Sequence, residues 1–235
     1  MLTAKFTVII PTLNRSEYFL PRAINSVLAQ TFQDFEILVV DDGGKDKCEE
    51  VCKSFNDDRI KYIKKAGFNR CGARNEGLRN ATGEWICTLD DDDCYSPVFL
   101  EAFNKAIIKY PDYKVFNSGF IQVHRNYGVT VKPAKEFKPQ EVFPSGTITS
   151  GAFIFKREIL EDVGYMPEDL NLWKLAAWAK EKYPEIAPLF PNGKELGNPW
   201  GDDYLEFYMI TRKYNSKCLN TALYIYCGKH GNDWS

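Results

Sequence analysis

Histidine is scarce: the 235-residue chain has only His124 and His230, too few to complete a Cys/His zinc centre. Its seven cysteines are odd in number and include no C-x-x-C pair, so a disulfide framework is not indicated and reduced thiols in a cytoplasmic protein are expected. No stretch approaches the roughly 20 apolar residues needed to span a bilayer, and the opening MLTAKFTVII has neither the apolar run nor the cleavage site of a signal peptide. A chain without a transmembrane segment is expected. Charge of one sign is also missing, because 30 Lys+Arg against 32 Asp+Glu leave a formal −2. Such a balance offers no bulk attraction to nucleic acid or anionic lipid. Twelve prolines and 16 glycines are too few for a fibrous or low-complexity chain. Finally, neither a G-x-G-x-x-G fingerprint nor a G-x-x-x-x-G-K-[ST] loop occurs, so any phosphate must be held by something other than a glycine-rich cradle.

What the chain does contain is core material and a rhythm. With 44% hydrophobic and 14% aromatic residues, one large core in a single domain is expected. Between residues 5 and 110, short β-branched runs alternate with helix-period segments, the pattern of βαβ units and a mostly parallel sheet. Phe6 to Ile10 and Glu36 to Val40 are continuous apolar runs suited to strands covered on both faces. Leu20, Ile24, Val27 and Leu28 share a helical face over about 17 to 30, with Pro21 tolerable in its first turn. Lys61 to Ile63 and Trp85 to Leu89 read as strands, Ala73 to Ala81 as a short helix, and Leu100, Phe103, Ile107 and Tyr110 as the face of another helix ended by Pro111. The second half is less regular. Lys114 to Val123 and Ala152 to Phe155 suit strands, 126 to 147 a hairpin and a mobile loop, 172 to 179 a helix, 184 to 199 a loop, and Tyr204 to Lys213 a helix.

Each strong strand of the first half ends in a polar cluster: Pro11-Thr12-Leu13-Asn14-Arg15, Asp41-Asp42-Gly43-Gly44, and Asp90 to Asp93. In open parallel sheets the carboxyl ends border one crevice, and ligands bind where the strand order reverses. The three clusters should therefore converge. Four adjacent aspartates raise one another's pKa unless a cation neutralises them, and hard carboxylate oxygens favour Mg²⁺ or Mn²⁺. A solvated acidic turn leading the next helix is the plainer alternative.

The order and spacing of VIIPTLNR, VVDDGGKD, ARNEGLRNATGEW, LDDDDCYSP, GDDYLEF and the terminal HGNDWS make the chain resemble a family 2 glycosyltransferase with the GT-A fold. The resemblance implies an α/β, Rossmann-like, mostly parallel central sheet with helices on both faces. It implies one domain over 1–235, with residues 1–110 as the nucleotide-sugar half and 111–235 as the acceptor half. It also implies a metal-dependent, inverting transfer from a nucleotide sugar, UDP-sugar by default, to a hydroxyl of a glycan or lipid-linked acceptor. By this likeness Thr12 and Asp42 resemble the nucleobase pocket, and Pro11, Asn14, Arg15, Asp41, Arg74 and Gly151 fall at further donor contacts. Asp90 or Asp91 would face the ribose, Asp92 resembles the direct Mn²⁺ or Mg²⁺ ligand, and His230, a late histidine near the diphosphate, falls with it at the metal. The fourth aspartate blurs this register: aligned on Pro97, the acidic positions become Asp90, Asp92 and Asp93. Asp203 resembles the general base, with Asp202 as a helix-dipole residue beside it.

Gly44 stands where the family usually has serine, and 166 to 199 is longer than the usual link before the base, so the acceptor is the least transferable part. Because the chain stops at HGNDWS, it is expected to be a domain of a longer protein. The competing functions are a sugar-nucleotide nucleotidyltransferase, which would need a glycine-rich basic loop after the first strand, and a non-catalytic binding domain of the same fold. Among residues outside these motifs, His124, the cysteines and the pair Trp173 and Trp178 are expected to be structural, a sugar-stacking platform being the less favoured role for the tryptophans.

Overall fold

The structure, a computed structural model, describes residues 4–65, 70–124, 128–139, 149–168, 178, 181–185 and 201–227. Among these, nine strands form one sheet: β1 (Phe6–Thr12), β2 (Phe35–Asp41), β3 (Ile60–Lys64), β4 (Trp85–Thr88), β5 (Cys94–Tyr95), β6 (Val115–His124), β7 (Gly128–Lys132), β8 (Phe153–Lys156) and β9 (Ser216–Tyr226). Their order is β3-β2-β1-β4-β8-β6-β9-β5, with β7 on β6. The pairings β3–β2, β2–β1, β1–β4 and β6–β9 are parallel. Because β8 runs against both β4 and β6, strands β3, β2, β1, β4, β6 and β9 share one direction. The sheet is thus mostly parallel, as expected.

Among the described residues, helices with defined bounds are α1 (Phe19–Leu28), α2 (Cys48–Ser54), α3 (Arg70–Asn80), α4 (Phe99–Lys109), α5 (Leu160–Val163) and α6 (Gly201–Thr211). Both faces of the central strands are buried, and the period-2 alternation divides them between two cores. Phe6, Val8 and Ile10 of β1 pack with Leu20, Ile24 and Val27 of α1 and Phe99 and Phe103 of α4. Ile9 instead packs on the side of α3 and α6, with Leu78, Phe207 and Ile210. Pro21 lies in the first turn of α1, where its missing N–H removes no intrahelical bond.

The second half departs from expectation at Phe137. Part of the stretch expected to be a mobile loop is anchored: Phe137 is buried, stacks edge-on against Phe207 at 5.1 Å, and exchanges hydrogen bonds with Ser216. The hairpin itself is present as β6 and β7. Trp178 packs edge-on against Tyr183 at 5.9 Å, a packing role as expected, while Trp173 and most of 172 to 199 lie outside the described residues.

One buried acid stabilises the sheet at the end away from the polar clusters. Glu36, at the start of β2, accepts hydrogen bonds from Thr7 (2.7 Å), the Thr82 backbone (2.7 Å) and hydroxyl (2.8 Å), and Lys61 (2.7 Å). Burial alone would raise its carboxyl, but these donors outweigh burial and hold it down to about 2. A folded-state pKa below the unfolded value contributes stability that is present above about pH 4.5 and is lost as pH falls through about 2. Wild-type protein should therefore lose about 2 kcal/mol from this group across that window, and Glu36→Gln, which keeps the other depressed carboxylates, should lose less by about that amount. Urea titrations at pH 6 and pH 3 measure the difference, and parallel losses in the two proteins would contradict it.

Candidate active site

The strand order reverses between β1 and β4, since β2 and β3 are added on one side of β1 and β4 on the other. The two strands part after Ile9↔Thr88, the last bond across being Leu89 N–H to the Ile9 carbonyl at 2.9 Å. Ile9 thus bonds toward β4, while Thr12 accepts Asp42 N–H from the β2 side at 3.1 Å. Pro11, two residues beyond Ile9, turns its donorless nitrogen toward the gap where β4 no longer pairs, a place where proline breaks no ladder bond. PTLNR and the aspartates flank that gap.

The three clusters meet there through side chains. Thr12 donates its hydroxyl to Asp91 Oδ2 at 2.7 Å. Arg15 Nη1 reaches Asp92 at 2.6 Å and Asp91 at 3.1 Å. Asn14, in the left-handed region at φ 56°, accepts the Lys45 N–H at 2.8 Å and so ties the first cluster to the second. Asp41 is fully buried; it accepts Gly44 N–H and the Tyr62 hydroxyl, both at 2.6 Å, with Lys64 at 3.8 Å. This carboxylate shapes the DDGG turn. A Cβ on Gly44 would lie 2.9 Å from Asp41 Oδ1, so a larger residue there would require this carboxylate to shift. Asp42 follows at the mouth, half-buried.

The four aspartates have four different surroundings. Asp90 is the most open, its side chain 27% exposed; it pairs with the buried Arg74 at 3.0 Å and accepts the Ser150 hydroxyl at 3.3 Å. Asp91 is pushed up to about 7, by burial first and then by Asp92 and Asp90, against the pull of Arg15. Asp92 carries the Arg15 pair, and its backbone carbonyl accepts Arg22 Nη2. Asp93 turns inward: the Tyr224 hydroxyl and, at 2.8 Å, Cys227 N–H both donate to it. Burial, with Asp92 and Asp90 adding to it, holds its carboxyl well above the usual range. The like-charge cost that the sequence assigns to a metal is therefore relieved in part by Arg15, Arg74 and protonation. Asp93 thus anchors β9, while Asp90 is the most exposed of the four.

An all-carboxylate donor set suits Mg²⁺ or Mn²⁺. Among the described residues, ligand atoms within 4.8 Å of one another occur in a different trio, Asp41, Asp46 and Cys48. That trio is poorly suited to an ion, because burial pushes the Cys48 thiol up to about 12 and it donates to Asp46 at 3.1 Å.

Gly151 lies in the buried turn Ser150–Ala152, where a Cβ would come within 1.7 Å of the Tyr224 ring. Ring packing alone thus requires glycine here. The same turn packs against α6, and Ser150 bonds Asp90, so α6 is held beside the acidic turn. Asp203 falls in the first turn of α6, with its side chain outside the described residues. His230 also lies outside them. Tyr62, Arg22, Ser150 and Tyr224, which hold the clusters, carry no motif of their own. The one available signal for Tyr62 was its place on the neighbouring strand, opposite Val39 and so on the same face as Asp41 two residues on.

An open α/β sheet with an acidic, arginine-bridged crevice at its switch point defines a ligand-binding α/β protein of the GT-A kind. The chain belongs to glycosyl transferase family 2, whose profile matches residues 7–164. It is 38% identical over 108 residues to the glycosyltransferase GlyA of Streptococcus pneumoniae, covering 45% of this chain and 15% of GlyA. It is 32% identical over 183 residues to the GalNAc(5)-diNAcBac-PP-undecaprenol beta-1,3-glucosyltransferase of Campylobacter jejuni, covering 72% of this chain and 58% of that one. The chain therefore corresponds to part of these relatives. In fold it is similar to S. aureus TarS 1-349 in complex with UDP-GlcNAc, at TM-score 0.68 and 20% identity over 97% of this chain and 60% of that one. It is also similar to the mannosyltransferase PcManGT of Pyrobaculum calidifontis in complex with GDP-Man and Mn²⁺, at TM-score 0.62 and 16% identity over 98% and 59%. No helix among the described residues is long and apolar enough to cross a membrane.

Proposed function

We propose that the chain is the catalytic domain of a glycosyltransferase that moves a sugar, with inversion, from a UDP-sugar to a hydroxyl of a glycan or lipid-linked acceptor, using Mn²⁺ or Mg²⁺. The observation that carries this is the meeting of PTLNR, DDGG and the aspartate turn at one switch-point crevice through Thr12–Asp91, Arg15–Asp92 and Asn14–Lys45. Nucleotide-sugar ligands in the two fold relatives and the undecaprenol-linked substrate in the C. jejuni relative's name support the donor and acceptor classes.

In this account Thr12 and Asp42 border the base, and Asp90, held by Arg74, faces the ribose. Asp91 and Asp92 lie toward the diphosphate, with Asp92 as the metal ligand and His230 beside it. A bound divalent cation supplies Lewis-acid stabilisation of the leaving diphosphate, worth several kcal/mol. Arg15 already balances two carboxylates and is placed to shift part of its charge to a phosphate oxygen. Asp203 takes the proton from the acceptor hydroxyl as it attacks the anomeric carbon. With one base and no covalent nucleophile, the displacement is single and the configuration inverts.

The base pocket has its own test. The Asp42 carboxylate is assigned a hydrogen bond from a ring N–H of the nucleobase, so Asp42→Ala should weaken UDP by about 1–3 kcal/mol, the usual worth of a charge-assisted bond. Its backbone bond to Thr12 survives the change, so the turn should persist. Unchanged UDP affinity would place the base elsewhere.

A further inference from the structure

Of the seven cysteines, Cys48, Cys52, Cys71 and Cys87 are buried, while Cys94, Cys218 and Cys227 are partly exposed. Two of the exposed ones are neighbours. In the antiparallel β5–β9 pair, Cys94 stands opposite Ile225. Alternate residues of a strand share a face, so Cys227, two beyond Ile225, is the diagonal neighbour of Cys94 on that face. Cys227 Sγ folds back to the carbonyl of Ile225 at 3.8 Å, the residue directly across from Cys94, so the two thiols face each other across the ladder. Cys94 sits inside LDDDDCYSP, but the proposed chemistry uses neither cysteine side chain.

We propose that Cys94 and Cys227 form a reversible intramolecular disulfide that staples the acidic turn to the end of β9. A low-molecular-weight disulfide such as oxidised glutathione is a sufficient oxidant. One cysteine thiolate attacks it, releasing one reduced glutathione and leaving a mixed disulfide. The neighbouring thiol then displaces the second glutathione, so two protons and two electrons pass from the cysteine pair to the two glutathione thiols. Because diagonal partners in an antiparallel ladder start farther apart than a bridged pair, closing the bond must draw the two backbones together.

That movement has a specific target. Cys94 directly follows Asp93, and Cys227 N–H donates to Asp93 at 2.8 Å, so both ends of the bridge bear on this one carboxylate. Through it they bear on the Asp90–Asp93 turn. Where that turn holds the donor, nucleotide affinity becomes redox-sensitive; this consequence rests on the function proposed above, but the cross-link does not.

Treatment of the full chain with oxidised glutathione, followed by non-reducing peptide mapping, should yield a Cys94–Cys227 cross-linked peptide and a mass lower by about 2 Da. The thermal midpoint should rise by about 5–10 °C, because the bridge closes a long loop. Dithiothreitol should reverse both changes. Cys94→Ser and Cys227→Ser should each abolish them, and Cys218→Ser should not. A map showing only glutathione adducts, or a bridge from another cysteine, would overturn the proposal, and the wild-type map decides this even if a variant folds poorly. UDP calorimetry on the two forms then separates the claims: a confirmed bridge with no UDP binding in either form counts against the proposed function, not the disulfide.

Discussion

Asp203→Asn is expected to lower turnover by at least about 10²-fold while donor Kd stays almost constant. The amide keeps the size and much of the hydrogen bonding of the carboxylate but cannot accept a proton. The loss therefore falls on the transition state and spares ground-state binding. Both Asp202 and Asp203 lie in the first turn of α6, so any general effect on the helix dipole would be shared by the pair. Asp202→Asn is for that reason the internal control and should retain most activity. Initial rates and donor affinity measured on the two variants decide the matter, together with NMR of the product's anomeric configuration. A retained configuration, or an Asp203→Asn enzyme near the wild-type rate, would remove Asp203 from the mechanism.

Asp92→Ala should abolish the metal dependence of UDP binding and reduce UDP affinity in Mn²⁺ by about 10²-fold, the scale of several kcal/mol of lost charge stabilisation. The fold should survive, because Arg15 keeps Asp91 as a partner at 3.1 Å. Asp93→Ala provides the contrast. It strands the Tyr224 hydroxyl and Cys227 N–H, both bonded to Asp93, and should chiefly cost stability, about 1–3 kcal/mol for each buried group left unsatisfied. If Asp93 proved to control metal binding while Asp92 controlled stability, the register of the acidic turn would be reversed.

The parallel half of the fold was legible because its strands are buried on both faces and read as unbroken apolar runs, and because α1 and α4 carry clear 3.6-residue faces. β9 was not. Its pattern is interrupted at Asn220 and Thr221, which fall between Leu219↔Ser118 and Ala222↔Gly119 and have no partner on β6, so no two-residue period spans the strand. β5 has only two residues and α2 only seven, too short for any period to declare itself, although the one-turn spacing of Cys48 and Cys52 was visible.

At the candidate site the aspartates and PTLNR could be found from composition at strand ends, because buried strands that finish in clustered polar residues are costly without a purpose. Their division of labour could not. Whether an aspartate faces the crevice or the core depends on Tyr224 and Cys227, more than 130 positions away, and on the ring that fills the space above Gly151. Such contacts exist only once the sheet has closed.

The most direct test of the account is calorimetry of UDP binding to the unmodified chain, in Mn²⁺ and again in EDTA. Tight binding is expected with the metal, and a loss of about 10²-fold or more without it. Equal affinity in the two buffers, or no binding in either, would contradict a metal-dependent nucleotide-sugar site at the Asp90–Asp93 turn.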